Sequence, residues 1–208
     1  MERAAVILAG GFSKRFGQDK GLVKLAGKPL VLHVLERVNV VVNEVLVVVS
    51  SETQKETYSS HVPKENRIVL DNENFRSPLV GALTGFSNTR AEYSLLLPCD
   101  TPFVSGKVAS LLFETCADVD AAIPRWSNDY IEPLQAVYRT SSALETARQA
   151  LGQGEMRPLS MIRLQKRVRY LSTMVIQQLD PQLMTFFNVN TPLDLAKADK
   201  MLKKRTVP

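Results

Sequence analysis

Uninterrupted apolar runs alternate along this chain with segments of mixed polarity, and the alternation predicts an α/β fold with a largely parallel sheet. Residues 4–8 are continuously apolar, as expected of a strand buried on both faces. Residues 45–49 read as a second buried strand, apolar throughout and mostly β-branched. A short third strand is expected over 67–70, and another over 94–97, ending at Pro98. Residues 121–123 and 134–138 read as strands around a polar turn at 125–129, and 168–171 and 186–189 as further short strands. Helices are expected between them. One has Pro29 in its first turn and runs to about Val38. Others cover 79–88, whose glycines weaken it, 106–116 with Ser105 as its cap, and 141–150, ended by Gly152 and Gly154. Pro158 starts another, to about Gln165. Thr191 caps a last helix, with Pro192 at its first position and Asp194 in its first turn. No repeat, linker or low-complexity stretch interrupts the pattern, so residues 1–208 read as one domain.

Composition narrows the function classes. A net charge of +5 suits a polyanionic partner: nucleic acid, an anionic membrane or small phosphates. Much of the excess lies in Arg157, Arg163, Lys166, Arg167 and Arg169 and in the tail from Lys197 to Arg205. No aromatic residue is interleaved with that tail, which disfavours a nucleic-acid groove. Cys99 and Cys116 form no CxxC and have no histidine cluster, pointing to a reducing compartment and no zinc site. The first apolar run is too short for a signal peptide or a membrane span, so a cytoplasmic protein is expected. His33 and His61 show no partner pattern.

Two segments carry chemistry. The first strand runs into Gly10 and Gly11, followed by Lys14, Arg15 and Lys20. In open α/β sheets ligands bind beyond the carboxyl ends of the strands. Glycines let the backbone approach an anion and permit positive φ, while the cations supply fixed charge. The segment is neither a Walker loop nor a GxGxxG. The second segment is Pro98-Cys99-Asp100-Thr101-Pro102, which holds an aspartate on stiff backbone after a buried strand. A triphosphate needs a hard cation, and Mg²⁺ commonly takes one or two protein carboxylates beside phosphates and water. Asp100 suits that role, with Cys99 as small-residue packing beside it.

Taken whole, Leu8-Ala9-Gly10-Gly11-x-Ser13-x-Arg15-Phe16-Gly17-x-Asp19-Lys20-x-Leu22-x-x-Leu25-x-Gly27-Lys28-Pro29-Leu30 resembles the signature of the nucleotidyltransferase superfamily. Its Gly-x-Asp-Lys form resembles the molybdenum cofactor guanylyltransferases, as do residues 98–102 and Asn188-Val189-Asn190-Thr191-Pro192 near the end of the chain. The resemblance implies a single Rossmann-like nucleotidyltransferase domain with a mixed, mainly parallel sheet flanked by helices. It implies transfer of GMP from GTP to molybdopterin carrying molybdenum, with Mg²⁺ as cofactor and transient contact with other molybdenum cofactor proteins. Leu8, Ala9, Gly10 and Gly11 would line the nucleotide, Lys20 would contact its phosphates and Arg15 would act near the reacting phosphorus. Asp100 would bind the metal, and Asn188 and Asn190 the acceptor. Asp71 corresponds to an acidic nucleotide-binding position, against the alternative of a plain turn aspartate.

Pro78-Leu79-Val80-Gly81 resembles a family segment usually preceded by glycine, where this chain has Ser77. Gly81 there admits the base or merely packs its helix. The family often carries asparagine after the second strand; here Ser50 stands in, with a shorter reach and one donor fewer. Residues 132–138 also resemble the family and are expected to face the acceptor, with Trp126 either stacking on a pterin or packing the fold. Three rivals remain open: a cytidylyltransferase or other nucleotidyltransferase with a different phosphorylated acceptor, a non-catalytic GTP-binding module, and a nucleic-acid binder.

Overall fold

The computed structural model describes residues 2–71 and 76–206. The first half alternates strand and helix: β1 (Arg3–Leu8), α1 (Leu30–Val38), β2 (Glu44–Val49), α2 (Glu52–Ser59), β3 (Arg67–Leu70), α3 (Pro78–Ser87) and β4 (Tyr93–Pro98). After α4 (Gly106–Thr115) come β5 (Ala121–Arg125), β6 (Ala136–Arg139), α5 (Thr140–Gly152), α6 (Pro158–Leu164), β7 (Val168–Ser172), the single turn α7 (Thr173–Ile176) and α8 (Pro192–Thr206). The seven strands form one sheet in the order β7-β5-β6-β4-β1-β2-β3. Only β6 runs antiparallel to its neighbours, so the sheet is mixed and mainly parallel, as expected.

Alternation within the strands sends side chains to two helical layers. From β1, Ala5 and Ile7 join Val34, Leu35, Val38, Val108, Leu112 and Phe113 on the α1 and α4 face. Val6 points the other way, towards Leu79, Ala82 and Phe86 of α3 and Ala143, Ala147 and Ala150 of α5. A methyl group on Gly85 would collide with Val6, so α3 lies close on the sheet only because this position is glycine. A third cluster, with Val23, Leu25, Phe103, Met184, Val189 and Ala198, ties α8 to the loop after β1.

Two expectations differ from the structure. The 186–189 strand does not form: Met184–Phe186 is a 3₁₀ turn entered from Leu183 in the left-handed region, φ 50°. The aromatic run pairs through rings instead of a backbone ladder, Phe186 against Trp126 and Phe187 against Phe103. The second difference is α2, which lies between two expected strands. It buries only Gln54 and Tyr58, so its apolar stripe is too thin to register as helical periodicity. Its start is nevertheless marked by Ser51 followed three residues later by Gln54; the Ser51 hydroxyl accepts from the Gln54 backbone N–H at 3.2 Å.

Candidate active site

Strands β4, β1, β2 and β3 are parallel neighbours, so the chain after each emerges on one edge of the sheet. That edge holds a cleft of about 370 Å³ lined by Leu8, Gly10 and Gly11 after β1, Ser50 after β2, Asp71 after β3 and Asp100 after β4. Lys20 and Gly81 complete the set of expected residues around it. A larger and more open groove of about 930 Å³ runs between the end of α1 and the start of α4. The cleft, unlike the groove, gathers the residues expected to carry chemistry, which makes it the candidate site.

Lys20 forms an ion pair with Asp100 and donates to the Asn190 side-chain oxygen at 2.6 Å. The two motifs and the C-terminal asparagine, far apart in sequence, therefore meet at one ammonium group. Asp100 is buried, 5% exposed, and its Oδ1 is enclosed without a hydrogen-bond partner. Its backbone carbonyl accepts from the Val189 N–H at 2.9 Å, which draws the C-terminal segment to the site. Asp194 fixes Asn190: its Oδ2 accepts from the Asn190 N–H at 3.2 Å and from the Thr191 hydroxyl at 2.8 Å. The Thr191 hydroxyl holds the Asp194 carboxyl below the usual carboxylate range.

The loop after β1 is braced from α2. Gln54 Oε1 accepts from the Ser50 N–H at 2.8 Å and from its hydroxyl at 2.9 Å, while Gln54 Nε2 donates to Asp19 at 2.8 Å. The Ser50 hydroxyl also lies 2.8 Å from the Gly10 carbonyl. Buried Tyr58 donates to the Ala9 carbonyl at 3.3 Å. A Cβ on Gly21 would stand 2.5 Å from the Tyr58 hydroxyl and 3.3 Å from Cys99, so glycine there lets Lys20 settle over Asp100. Asp194 was singled out from sequence only as an acidic residue in the first turn of the last helix, and Gln54 and Tyr58 were not singled out. Neither was Arg76, which lines the cleft and whose Nη2 lies 3.4 Å from the Ser50 carbonyl.

Some expected residues sit elsewhere. Ala9 is fully buried and does not line the cleft. Arg15 is exposed at the loop, with Nη1 3.5 Å from the Asn190 carbonyl. Asn188 is half-buried and its amide faces the Phe186 carbonyl at 3.5 Å. Positive φ between β1 and α1 falls at Gly17, 65°, Ala26, 50°, and Gly27, 81°, rather than at Gly10 or Gly11. A Cβ on Gly10 would press on Ser50 at 3.0 Å, whereas one on Gly11 would meet nothing within 4 Å. Gly81 is constrained by packing, since its Cβ would lie 3.1 Å from Leu8. Asp71 accepts from the Thr84 hydroxyl at 3.2 Å. Trp126 packs on Phe186, ring centroids 5.4 Å apart, and donates to Glu132 at 2.8 Å, which favours the packing role for it. Burial pushes the Glu132 carboxyl up and the Trp126 donor partly offsets this. His33 is buried against the Leu25 carbonyl at 3.0 Å, and burial lowers its pKa. Cys99 and Cys116 are buried free thiols, and burial raises the pKa of both, that of Cys116 to about 12.

Known proteins resemble this chain over most of its length. A family model described as the MobA-like NTP transferase domain matches residues 5–168. A probable molybdenum cofactor guanylyltransferase of Methanosarcina acetivorans is 36% identical over 199 residues, covering 93% of this chain and 88% of the relative. A molybdenum cofactor guanylyltransferase of Desulfosudis oleivorans is 31% identical, covering 95% of each. The crystal structure of molybdopterin-guanine dinucleotide biosynthesis protein A from Archaeoglobus fulgidus superposes with a TM-score of 0.83 at 30% identity, covering 97% of this chain and 99% of that one.

Proposed function

This chain belongs to the MobA-like NTP transferase family, and on that premise we propose that it transfers GMP from GTP to molybdopterin carrying molybdenum, releasing pyrophosphate. The observation that carries the reading is the meeting of Lys20, Asp100 and Asn190 at one end of an edge cleft lined by Gly10 and Gly11. Residues 1–208 act as one nucleotidyltransferase domain in this reading. The rival cytidylyltransferase and binding-module readings would share this cleft, and the similarity to molybdenum cofactor guanylyltransferases favours GMP transfer over both.

The reaction is an in-line displacement at the α-phosphorus. An oxygen of the acceptor's terminal phosphate forms the new P–O bond, the bond to the β-phosphate breaks, and pyrophosphate leaves with the electron pair. A phosphate monoester is already anionic near neutral pH, so no side chain is needed as a strong base. The chain's contribution is positioning and charge neutralisation. Gly10 and Gly11 bring backbone close to the phosphates, Lys20 neutralises charge beside Asp100, and Arg15 neutralises charge near the reacting phosphorus from the loop. Asn190 aims Lys20 and stands on the acceptor side, while Asn188, turned to the Phe186 carbonyl, supports that segment from behind.

The donor set fits Mg²⁺. Among the described residues no cluster of three or more His, Cys, Asp or Glu could hold a metal, but one enclosed carboxylate oxygen without a partner is what an ion chelated mainly by phosphates requires. Asp100 would hold it, and the ion would supply Lewis-acid polarisation of the phosphate oxygens. No helix among the described residues is long and apolar enough to cross a membrane. A cytoplasmic site of action and transient contact with other proteins of the same cofactor's synthesis complete the reading.

The test is pyrophosphate release from GTP, CTP, ATP and UTP with molybdenum-loaded molybdopterin and Mg²⁺, with the dinucleotide product identified by mass. GTP is expected to be used in preference. Preference for CTP would transfer the chain to the cytidylyltransferases, and GTP binding without pyrophosphate would reduce it to a binding module.

A further inference from the structure

The cleft has two chemically different ends. Lys20 and Asp100 mark one, after β1 and β4. The other lies over the ends of β2 and β3, where Ser50, Asp71, Arg76 and Ser77 converge at the start of α3. In the strand order β4-β1-β2-β3 the middles of the two ends lie two strand spacings apart, about 10 Å. A nucleotide whose phosphates lie at the Lys20 end must therefore lay its base against the second end.

We infer that Arg76 reads that base, its guanidinium donating to the adjacent O6 and N7 acceptors of guanine and so selecting guanine over adenine. The inference rests on the GTP reading above and adds to it the residue that makes the choice. The polar inventory at this end supports it. The Ser77 hydroxyl accepts from the Val80 N–H at 3.2 Å as the cap of α3. The Ser50 hydroxyl has the Gly10 carbonyl and Gln54 as its acceptors. Asp71 is an acceptor, suited to the N1 and N2 donors of guanine or to ribose, and has no donor to offer. Arg76 is the group there that presents several donors in a fixed planar fork. Its contact with the Ser50 carbonyl, at 3.4 Å, is at the long limit of a hydrogen bond and readily exchanged for a better acceptor pair.

The discrimination follows from the base edges. Guanine offers O6 and N7 side by side, both acceptors, and an arginine fork matches them with two parallel bonds. Adenine replaces O6 by an amino donor, which faces the guanidinium N–H groups without a bond and leaves one of them unpaired. Ser77 contributes in a second way. Its extended backbone, φ −151° and ψ 160°, leads directly into the capped helix, which fixes the stem from which Arg76 projects.

The experiment is calorimetric titration of the wild-type protein, Arg76→Ala and Arg76→Lys with GTP, 7-deaza-GTP and ATP in the presence of Mg²⁺. Arg76 is exposed, so both variants keep the fold. The wild type is expected to favour GTP over ATP and over 7-deaza-GTP, which lacks the N7 acceptor. Arg76→Ala should lose about ten- to a hundredfold in GTP affinity, lose far less in ATP affinity because adenine keeps only N7 as an acceptor, and bind GTP and 7-deaza-GTP equally. Arg76→Lys should recover little, because a point charge cannot span both acceptors. Equal weakening of GTP and ATP in Arg76→Ala, recovered by lysine, would make Arg76 a phosphate contact and overturn the inference. So would an undiminished GTP preference in Arg76→Ala, which would leave the GTP reading standing. A wild-type protein without GTP preference would overturn that reading, and this inference with it.

Discussion

Replacing Asp100 by asparagine should abolish most turnover while leaving the fold as stable as before. The two effects have separate structural origins. Oδ1 of Asp100 is enclosed and unpartnered, and leaving a buried polar atom unsatisfied costs about 1–3 kcal/mol. Oδ2 faces the ammonium of Lys20. Breaking a fully buried pair of that kind costs about 3–5 kcal/mol, but the Lys20 side chain is 25% exposed and keeps its bond to Asn190, so a much smaller loss applies here. Asparagine retains an oxygen for Lys20 and removes the charge whose desolvation the empty protein must bear. The net change in stability should lie within about 1 kcal/mol of zero, a shift of roughly 2–4 °C or less in melting temperature for a chain of this length.

Turnover responds to the same substitution differently. Losing one preorganised charge at the reacting phosphorus costs about a factor of 10²–10³. The assay is pyrophosphate release with molybdenum-loaded molybdopterin at saturating GTP, beside a thermal melt of the same preparation. Near wild-type turnover would mean that Asp100 holds no ion and takes no part in the chemistry. A fall of ten degrees or more in melting temperature would instead make the carboxylate part of the scaffold, and the activity loss would no longer report on catalysis.

Gln54→Leu should lower stability by about 1–3 kcal/mol, because it strips the Ser50 N–H and Asp19 of their partner, and should raise the KM for GTP; an unchanged melt would show that water replaces the amide. Gly11→Ala should leave stability unchanged or raise it by about 0.4–1 kcal/mol, since its Cβ meets nothing, while weakening GTP binding about tenfold; equal affinity would place the phosphates away from Gly11. Glu132→Gln should keep the Trp126 bond and remove a burial penalty. Because the folded Glu132 pKa is raised, its contribution to stability is full below its unfolded value and is lost as pH rises through the folded one. The variant should therefore melt higher than wild type at neutral pH and alike below about pH 4; a constant difference across that range would assign the effect to packing.

The parallel strands were readable because burial on both faces leaves continuous apolar runs, and residues 4–8, 45–49 and 95–97 each form one. The edge site followed from the same fact: Gly10, Ser50, Asp71 and Asp100 each stand just past a strand, and parallel neighbours deliver such positions to one place. Phe186–Phe187 misled because β-branched and aromatic residues suit a strand equally well as a ring-packing turn, and the choice is made by Leu183 and by Trp126 and Phe103, all outside the run.

The supporting residues were hidden for a different reason. Gly10, Gly11 and Asp100 lie in motifs, because their neighbours must also fit the ligand. A residue that aims another side chain needs only to arrive at the right point in space. Gln54 reaches Asp19 across 35 positions, and Tyr58 reaches the Ala9 carbonyl across 49. Gln54 sits on a polar helix that buries two side chains, and both of them hold the loop after β1 rather than the core alone. The thin apolar stripe that concealed α2 thus follows from what the helix does. Its inward face is given over to a glutamine and a tyrosine hydroxyl, which leaves little apolar surface to mark it as a helix.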